Sequence, residues 1–327
     1  MRPVEPRYYY RQFLHPRYWG VWCLVGVLRL IAFMPHRAIQ GLGRLIGVLS
    51  YWFAHERRKV VETNIDLCFP EKTEEERRQL VRASMVAVAK GYVESARGWW
   101  GRMEPYHRNL EVHGLEHLEE AKRRGKGVIL LGGHFSILDF AGPLVMPLMD
   151  FNYMYRPHGN PLFNAVIERA RRRFSERAFA KDELKSMIRF IRQGGLVWYG
   201  CDQDFGRRNS VFAPFFGVEA ATLTAPAWIA KATGATVLMI GQFREKGKTY
   251  SIHFSPIFED YPSGDERADA ARMNQELERM IRIHPDQYLW AHRRFKTRPD
   301  GELPVYPPKK KKLRQQRRRA RKAEQEH

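Results

Sequence analysis

The stretch from Gly125 to Phe140 reads GKGVILLGGHFSILDF, and its pattern predicts the centre of the fold. Its first half is a short apolar run, Val128 to Leu131, with glycines on both sides, which is typical of a strand buried on both faces of a sheet. Its second half places a histidine and an aspartate five residues apart, directly after the glycines. We therefore expect a central strand here, followed by a loop and then a helix.

Alternating strand and helix patterns surround this stretch on the C-terminal side. We predict strands at 151–157, 196–204, 235–243 and 250–258, and helices at 56–101, 161–174, 182–195, 224–234 and 265–283. Strands that alternate with helices in this way predict an α/β fold, with a mixed sheet flanked by helices.

The N-terminal region is apolar and is edged by basic and aromatic residues. Residues Trp19 to Met34 read WGVWCLVGVLRLIAFM, and a second apolar stretch covers Ile39 to Ala54. Sixteen residues of helix are roughly 24 Å long, which is short of a hydrocarbon core of roughly 30 Å. A short spanning anchor, an interfacial helix and a buried soluble helix are all compatible with this pattern. We predict that residues 1–55 form a membrane anchor with interfacial helices, on the cytoplasmic side.

The chain is strongly basic, with a formal net charge of +20 over 327 residues. The segment Lys309 to His327 holds ten basic and two acidic residues, and we predict a disordered basic tail at 307–327 that an anionic leaflet would attract. A hydrophobic content of 44% excludes a wholly disordered chain. The three cysteines, Cys23, Cys68 and Cys201, lack the spacing of a zinc site or a disulfide framework, so we expect reduced thiols and no metal.

The candidate chemistry lies in GGHFSILDF, at the end of the predicted central strand. A neutral histidine is suited to take the proton of a hydroxyl, and a carboxylate on its other ring nitrogen would orient it. His134 and Asp139 are therefore the candidate base and its partner. Such a pair also occurs for structural reasons alone. His134 must precede the helix for the two side chains to meet, because five residues along a helix turn through about 140° beyond one full turn.

Long motifs in a fixed order give the chain a family resemblance. They are LHPRYWG at 14–20, NIDLCFPE at 64–71, YRPHGNPLFN at 155–164, VWYGCDQDFGRRNSVFAPFFGVEAAT at 197–222 and PDQYLWAHRRFKTRP at 285–299, with the His-x-x-x-x-Asp motif among them. In these motifs the chain resembles the late acyltransferases of lipid A biosynthesis, the lauroyl/myristoyl acyltransferase family. The resemblance implies a glycerophosphate-acyltransferase-like catalytic domain, which we place at 56–306.

The resemblance also implies a reaction. An acyl chain would pass from acyl carrier protein to a hydroxyl of a hydroxyacyl chain on a phosphorylated glycolipid, the lipid A precursor, without a cofactor and at the inner membrane. His134 would be the general base and Asp139 its orienting partner.

The same resemblance implies substrate-binding roles for four residues, namely Arg156, Asp202, Asp204 and Arg207. Two structural alternatives remain open for them. Arg156 and Asp202 would form a salt bridge between neighbouring strand ends, and Arg207 would be a solvated loop charge.

Two rival functions remain. A glycerophosphate or lysophospholipid acyltransferase shares the His-x-x-x-x-Asp motif but usually carries a Phe-Pro-Glu-Gly-Thr motif downstream, whereas FPEK at 69–72 lies upstream here. A membrane-associated nucleic-acid-binding protein would explain the charge and the tail, but not the apolar N-terminus. We expect no specific nucleic acid partner.

Overall fold

Seven strands form the central sheet in a computed structural model that describes residues 10–307. These residues contain nine strands, in chain order: β1 (Leu110–His113), β2 (Val128–Gly132), β3 (Tyr153–Tyr155), β4 (Ala178–Ala180), β5 (Leu196–Gly200), β6 (Ser210–Phe215), β7 (Val218–Leu223), β8 (Thr236–Arg244) and β9 (Tyr250–Phe254). The helices are α1 (Trp19–Phe33), α2 (His36–Phe53), α3 (His55–Cys68), α4 (Glu74–Trp100), α5 (Glu104–His107), α6 (Leu115–Arg123), α7 (Leu138–Leu144), α8 (Pro161–Arg171), α9 (Leu184–Arg192), α10 (Ala225–Thr233) and α11 (Glu266–Ile283).

The sheet is mixed, as the sequence predicted. Its strand order is β1-β9-β8-β2-β5-β3-β4, and strand β9 runs antiparallel to β8 while the other neighbours are parallel. Strand β2 lies in the middle and is buried along its whole length, which explains its unbroken apolar sequence. Apolar clusters cover both faces of the sheet, so the carboxyl end of β2 opens at an edge between two packed layers.

Helix α4 is the long element that packs beside this edge. It begins at a capping box in which Thr73 accepts from the backbone of Glu76 and the Glu76 carboxylate accepts in return. Helix α2 packs closely on α4 because it has glycine at both contact points. A Cβ on Gly43 would lie 2.6 Å from the Cα of Lys90, and one on Gly47 would lie 2.5 Å from the Cα of Val86.

The N-terminal helices keep much of their apolar surface exposed. Leu24, Val27, Leu30 and Phe33 of α1 follow one another at three-residue spacing and are 47–73% exposed. Within residues 10–307, none of the helices combines the length and apolar character needed to cross a bilayer.

Several elements differ from the sequence expectation. The helix predicted at 56–101 is two helices, because the chain turns between Cys68 and Glu74, where Pro70 removes a backbone donor. Six short elements, namely β1, α5, α6, β4, β6 and β7, were not predicted, because segments of three to nine residues carry little periodicity. The predicted disordered tail lies outside the described residues from position 308 onward.

Candidate active site

The register of two parallel strands brings the central pair of the site together. Strand β2 pairs with β5, and Gly132 lies opposite Gly200 at their carboxyl ends. His134 and Asp202 each follow two residues later, so they emerge side by side at the same edge of the sheet. The carboxyl ends of parallel strands are the usual ligand-binding edge of an α/β sheet.

His134 is bound to Asp202 through both its ring and its backbone. Its Nδ1 lies 2.6 Å from Oδ1 of Asp202, and its backbone N–H donates to Oδ2 over 2.8 Å. A carboxylate accepts, so Nδ1 carries the proton and Nε2 is left with its lone pair. The amide nitrogen of Gln203 lies 3.1 Å from this Nε2 and can donate to it. The imidazole is therefore held in the tautomer that a general base requires.

The pair is only partly open to solvent, and this tunes both pKa values. Burial alone would lower the pKa of His134, but the charge and hydrogen bond of Asp202, with a smaller contribution from Asp139, raise it above 6.5. Burial would raise the pKa of Asp202, but His134 outweighs it and holds that pKa well below its usual range. The His134 side chain is 26% exposed and the Asp202 side chain 3%, so the imidazole is the member that a substrate can reach.

Glycines let the backbone approach this imidazole closely. A Cβ on Gly200 would lie 3.0 Å from Cε1 of His134, and a Cβ on Gly91 of α4 would lie 1.7 Å from the carbonyl oxygen of Ser136. Side chains at these positions would displace the loop that carries the histidine.

The C-terminal segment also holds this loop. The backbone N–H of Leu289 donates to the carbonyl of His134 over 2.9 Å, and that of Ser136 donates to the carbonyl of Gln287 over 2.7 Å. Between these contacts, Tyr288 is buried against the Asp202 carboxylate, and burial together with that charge raises the pKa of its phenol. Residues 287–289 of the motif at 285–299 thus hold the loop that carries His134, a structural role that the sequence did not reveal.

Asp139 has a different partner from the one we predicted. Arg171 donates to Oδ1 of Asp139 through Nε over 2.9 Å and also through Nη2, and its guanidinium lies 5.3 Å from the ring centroid of Tyr153. Asp139 is the second residue of α7, whereas His134 lies in the loop before it. The orienting role assigned to Asp139 therefore falls to Asp202, because the strand register, and not the five-residue spacing, determines which carboxylate reaches Nδ1.

The structural alternative, a salt bridge between Arg156 and Asp202, is not formed. Both oxygens of Asp202 are bound to His134, as described above. Arg156 follows β3 at the same edge of the sheet, where its side chain is exposed. A substrate-binding role for Arg156 stays a prediction.

Asp204 and Arg207 are both bound to the C-terminal loop. Asp204 is buried and accepts from the backbone N–H of Thr297 over 2.6 Å and from its hydroxyl over 2.9 Å. Arg207 is 51% exposed and forms a 2.7 Å ion pair with Asp300. Their predicted contacts with substrate stay predictions.

Sequence reasoning missed Arg171, Gln203 and Tyr288. Arg171 lies within a run of basic residues that resembles a solvated helix face, so no local signal distinguishes it. The role of Asp202 did have a signal, because LVWYGCD and VILLGGH each place the polar residue two positions after the strand-ending glycine. Among residues 10–307, no cluster of three or more metal-ligating side chains occurs.

This fold and site define a class. A histidine oriented by a buried carboxylate, at the carboxyl edge of an α/β sheet, is the arrangement of an enzyme that activates a hydroxyl by removing its proton.

Comparisons with known proteins make the class specific. A sequence model of the family described as bacterial lipid A biosynthesis acyltransferase matches residues 9–297. The lipid A biosynthesis lauroyltransferase of Escherichia coli (strain K12) is 37% identical over 290 residues, which cover 88% of this chain and 95% of that protein. The palmitoleoyltransferase of the same organism is 35% identical over 298 residues, 90% of this chain and 97% of that protein.

A solved structure, the 1-acyl-sn-glycerophosphate acyltransferase from Thermotoga maritima, is similar at a TM-score of 0.35 and 12% identity, over 75% of this chain and 97% of that one. The chain belongs to the bacterial lipid A biosynthesis acyltransferase family, and it is an acyltransferase.

Proposed function

We propose that this acyltransferase moves a fatty acyl chain from acyl carrier protein to a hydroxyl of a hydroxyacyl chain on a phosphorylated lipid A precursor. The single observation that carries the proposal is the His134–Asp202 pair, in which Asp202 accepts from Nδ1 and leaves the lone pair on Nε2, beside the Gln203 amide. Family membership supports the class of acceptor, since the relatives named above are lipid A acyltransferases.

The reaction needs one proton to be moved twice. His134 takes the proton of the acceptor hydroxyl through Nε2 as the hydroxyl oxygen attacks the thioester carbonyl carbon. The tetrahedral intermediate then collapses, the carbon–sulfur bond breaks, and the imidazolium returns the proton to the leaving thiolate. Asp202 stabilises the imidazolium between these two steps, because its carboxylate is already hydrogen-bonded to Nδ1.

Gln203 is the nearest candidate for a second role in this reaction. Its amide occupies the position, 3.1 Å from Nε2, that the acceptor hydroxyl must take. When the acceptor displaces it, the same amide N–H group is available to donate to the oxyanion of the intermediate.

The charge and the exposed apolar surface of the protein support the proposed donor and the proposed site of reaction. The net charge of +20 is complementary to an acidic carrier protein and to lipid phosphates. Helix α2 exposes Leu45, Leu49, Trp52 and Phe53, and both α1 and α2 pack on α4. Exposed apolar side chains in such number are typical of interaction surfaces, and we assign these two helices to the cytoplasmic surface of the inner membrane.

The test is an acyl-transfer assay with defined substrates. Wild-type protein and His134→Ala are incubated with acyl carrier protein thioesters of several chain lengths and a tetra-acylated lipid A precursor, and the lipid is weighed by mass spectrometry. We expect one added acyl group with the wild type and none with the variant.

Parallel reactions contain acyl-CoA as the donor, or lysophosphatidic acid as the acceptor. If folded wild-type protein acylates lysophosphatidic acid and leaves the lipid A precursor unchanged, the proposed acceptor is wrong. If acyl-CoA supports transfer and the carrier protein thioester does not, the proposed donor is wrong.

A further inference from the structure

A buried ion pair joins α4 to the end of β8. Glu94 of α4 pairs with Arg244, the last residue of β8, and their side chains are 2% and 8% exposed. The carboxylate accepts from Nε of Arg244 over 2.9 Å and also from Nη2. The burial of two charges offsets much of their attraction, so a pair of this kind adds little net stability. What it contributes here is a fixed geometry.

Two further side chains hold the Glu94 carboxylate in place. The amide nitrogen of Gln40 in α2 donates to its Oε1, and so does the hydroxyl of Tyr250 in β9, over 2.6 Å. Burial would raise the pKa of Glu94, but the charge and hydrogen bond of Arg244, together with the other two hydrogen bonds, lower it. Glu94 is therefore ionised, and it cannot move without breaking contacts to three side chains.

The backbone of Arg244 is in turn bound to Gln287. Its N–H donates to Oε1 of Gln287 over 2.9 Å, and its carbonyl accepts from Nε2 over 2.8 Å. Strand β8 continues from Gly241 to Arg244 past Ile240, the last residue that pairs with β2. The Gln287 side chain, which is buried, takes up the backbone groups at the end of this extension.

Gln287 carries this constraint to the loop between β2 and α7. Its carbonyl accepts from the backbone N–H of Ser136 over 2.7 Å, and Ser136 lies two residues after His134. An unbroken path of hydrogen bonds thus runs from Glu94 through Arg244 and Gln287 to the segment that bears the imidazole. It begins three residues after Gly91, the position where α4 packs directly on that segment.

We propose that the buried Glu94–Arg244 pair positions His134 for catalysis, by holding Gln287 where it fixes the loop between β2 and α7. Glu94, Arg244 and Gln287 are positioning residues, because they act on His134 through the backbone of Ser136. The inference rests on the proposed role of His134 as the general base. A base must be aligned closely with the hydroxyl that it deprotonates, so a small displacement of this loop lowers the rate strongly.

Three substitutions loosen the path at different points. Glu94→Gln removes the charge and keeps the size of the side chain. Gln287→Ala removes the amide that binds the end of β8. Tyr250→Phe removes a single hydrogen bond from Glu94, so it should fold even if Glu94→Gln does not, and it then takes the place of Glu94→Gln in every comparison.

Asn152→Ala is the matched control. Asn152 is also buried, donates to the carbonyl of Leu196 over 3.2 Å and accepts from the backbone N–H of Arg177 over 2.9 Å. Leu196 is the first residue of β5, so these contacts lie at the opposite end of that strand from the site. The control should lower Tm through lost buried hydrogen bonds and leave kcat unchanged.

The kinetic readouts are kcat and KM for acyl transfer with defined substrates. Glu94→Gln and Gln287→Ala should each lower kcat about 10–100-fold with little change in KM, and Tyr250→Phe should lower it less. The double variant Glu94→Gln/Gln287→Ala should be no slower than Gln287→Ala, because the path is already broken. The proposal is overturned if the folded single variants keep the wild-type kcat, if the two losses multiply in the double variant, or if Asn152→Ala loses as much kcat.

Hydrogen exchange of the full-length protein without substrates gives a readout that is independent of acyl transfer. The backbone N–H of Ser136 should exchange at least about tenfold faster in Glu94→Gln and Gln287→Ala, and at the wild-type rate in Asn152→Ala. Unchanged exchange in the first two variants contradicts the positioning role. A wild-type protein that transfers no acyl group contradicts the proposed function instead, so the two failures are distinguishable.

Discussion

At the scale of single residues, the site depends on which carboxylate meets which cation. The side chain of Asp202 is nearly fully buried and is hydrogen-bonded to His134. That of Asp139 is 31% exposed and is paired with Arg171. The two aspartates therefore have different tasks, although both lie near the imidazole. Asp202 sets the tautomer and raises the pKa of the His134 imidazole, and Asp139 links α7 to α8.

The Asp139–Arg171 pair should be visible as an energetic coupling. We expect Asp139→Asn and Arg171→Gln each to lower the free energy of unfolding by about 1–3 kcal/mol, because each leaves a partly buried charge or donor without its partner. The double variant should cost less than the sum of the two, with a coupling of about 1 kcal/mol. Chemical denaturation of the four proteins measures this cycle. Arg189→Gln, at an exposed position, is the control, and strict additivity of the two changes would contradict the pairing.

At the scale of elements, the packing of α4 against the loop between β2 and α7 fixes the position of His134. Gly91 is buried in α4 against the backbone of Ser136, two residues after His134. Gly41 lies in the neighbouring helix α2, is exposed, and has open space where a Cβ would be. The same substitution at these two positions separates the helix propensity of alanine from the steric demand of the loop.

Gly91→Ala should lower the free energy of unfolding by about 1–3 kcal/mol, since the new methyl group must displace backbone. It should also lower kcat more than it changes KM, because the loop that carries the base moves. Gly41→Ala should raise stability by about 0.5–1 kcal/mol through helix propensity alone. Thermal unfolding and steady-state kinetics of both variants measure these effects. A Gly91→Ala protein with wild-type stability and activity would show that the loop does not depend on this contact.

The elements also show what the sequence predicts well. The strand expected from Val128 and the helix expected from Asp265 both occur, with Asp265 as the N-cap of α11, because burial and capping are local signals. The partner of His134 was assigned wrongly for the opposite reason. Asp202 lies 68 residues away and reaches the imidazole through strand order and register, which no local pattern in one sequence records.

At the scale of the whole molecule, a half-buried histidine makes stability depend on pH. His253 of β9 stacks on His113 of β1 at 4.3 Å between ring centroids, and burial followed by the His113 charge lowers its pKa from 6.5 to about 4. A group with a lowered folded pKa contributes stability above its unfolded pKa and loses it as the pH falls. The stability that His253 contributes is therefore lost as the pH falls from about 6.5 to about 4. His134 acts in the opposite sense, because its pKa is raised in the folded protein.

His253→Gln should reduce the fall in Tm across that pH window, since the folded protein no longer contains this neutral imidazole. His113→Gln should reduce it less, because burial of His253 remains. Differential scanning calorimetry at a series of pH values measures the slopes. If Tm falls with pH as steeply in His253→Gln as in the wild type, other groups cause the loss of stability in acid.

The most direct test of the central claim is the pH dependence of kcat/KM for acyl transfer in the wild type, Asp202→Asn and Asp139→Asn. In the wild type the rate should rise with pH through the pKa of His134, which lies above 6.5, because the neutral imidazole is the base. Asp202→Asn should lower the plateau by about 10²–10⁴-fold and move the rise to lower pH, since burial then acts without the compensating carboxylate. Asp139→Asn should shift the pH at which kcat/KM rises by less than Asp202→Asn does. If Asp139→Asn shows the larger displacement and Asp202→Asn keeps the wild-type profile, Asp139 orients the base and the assignment made here is wrong.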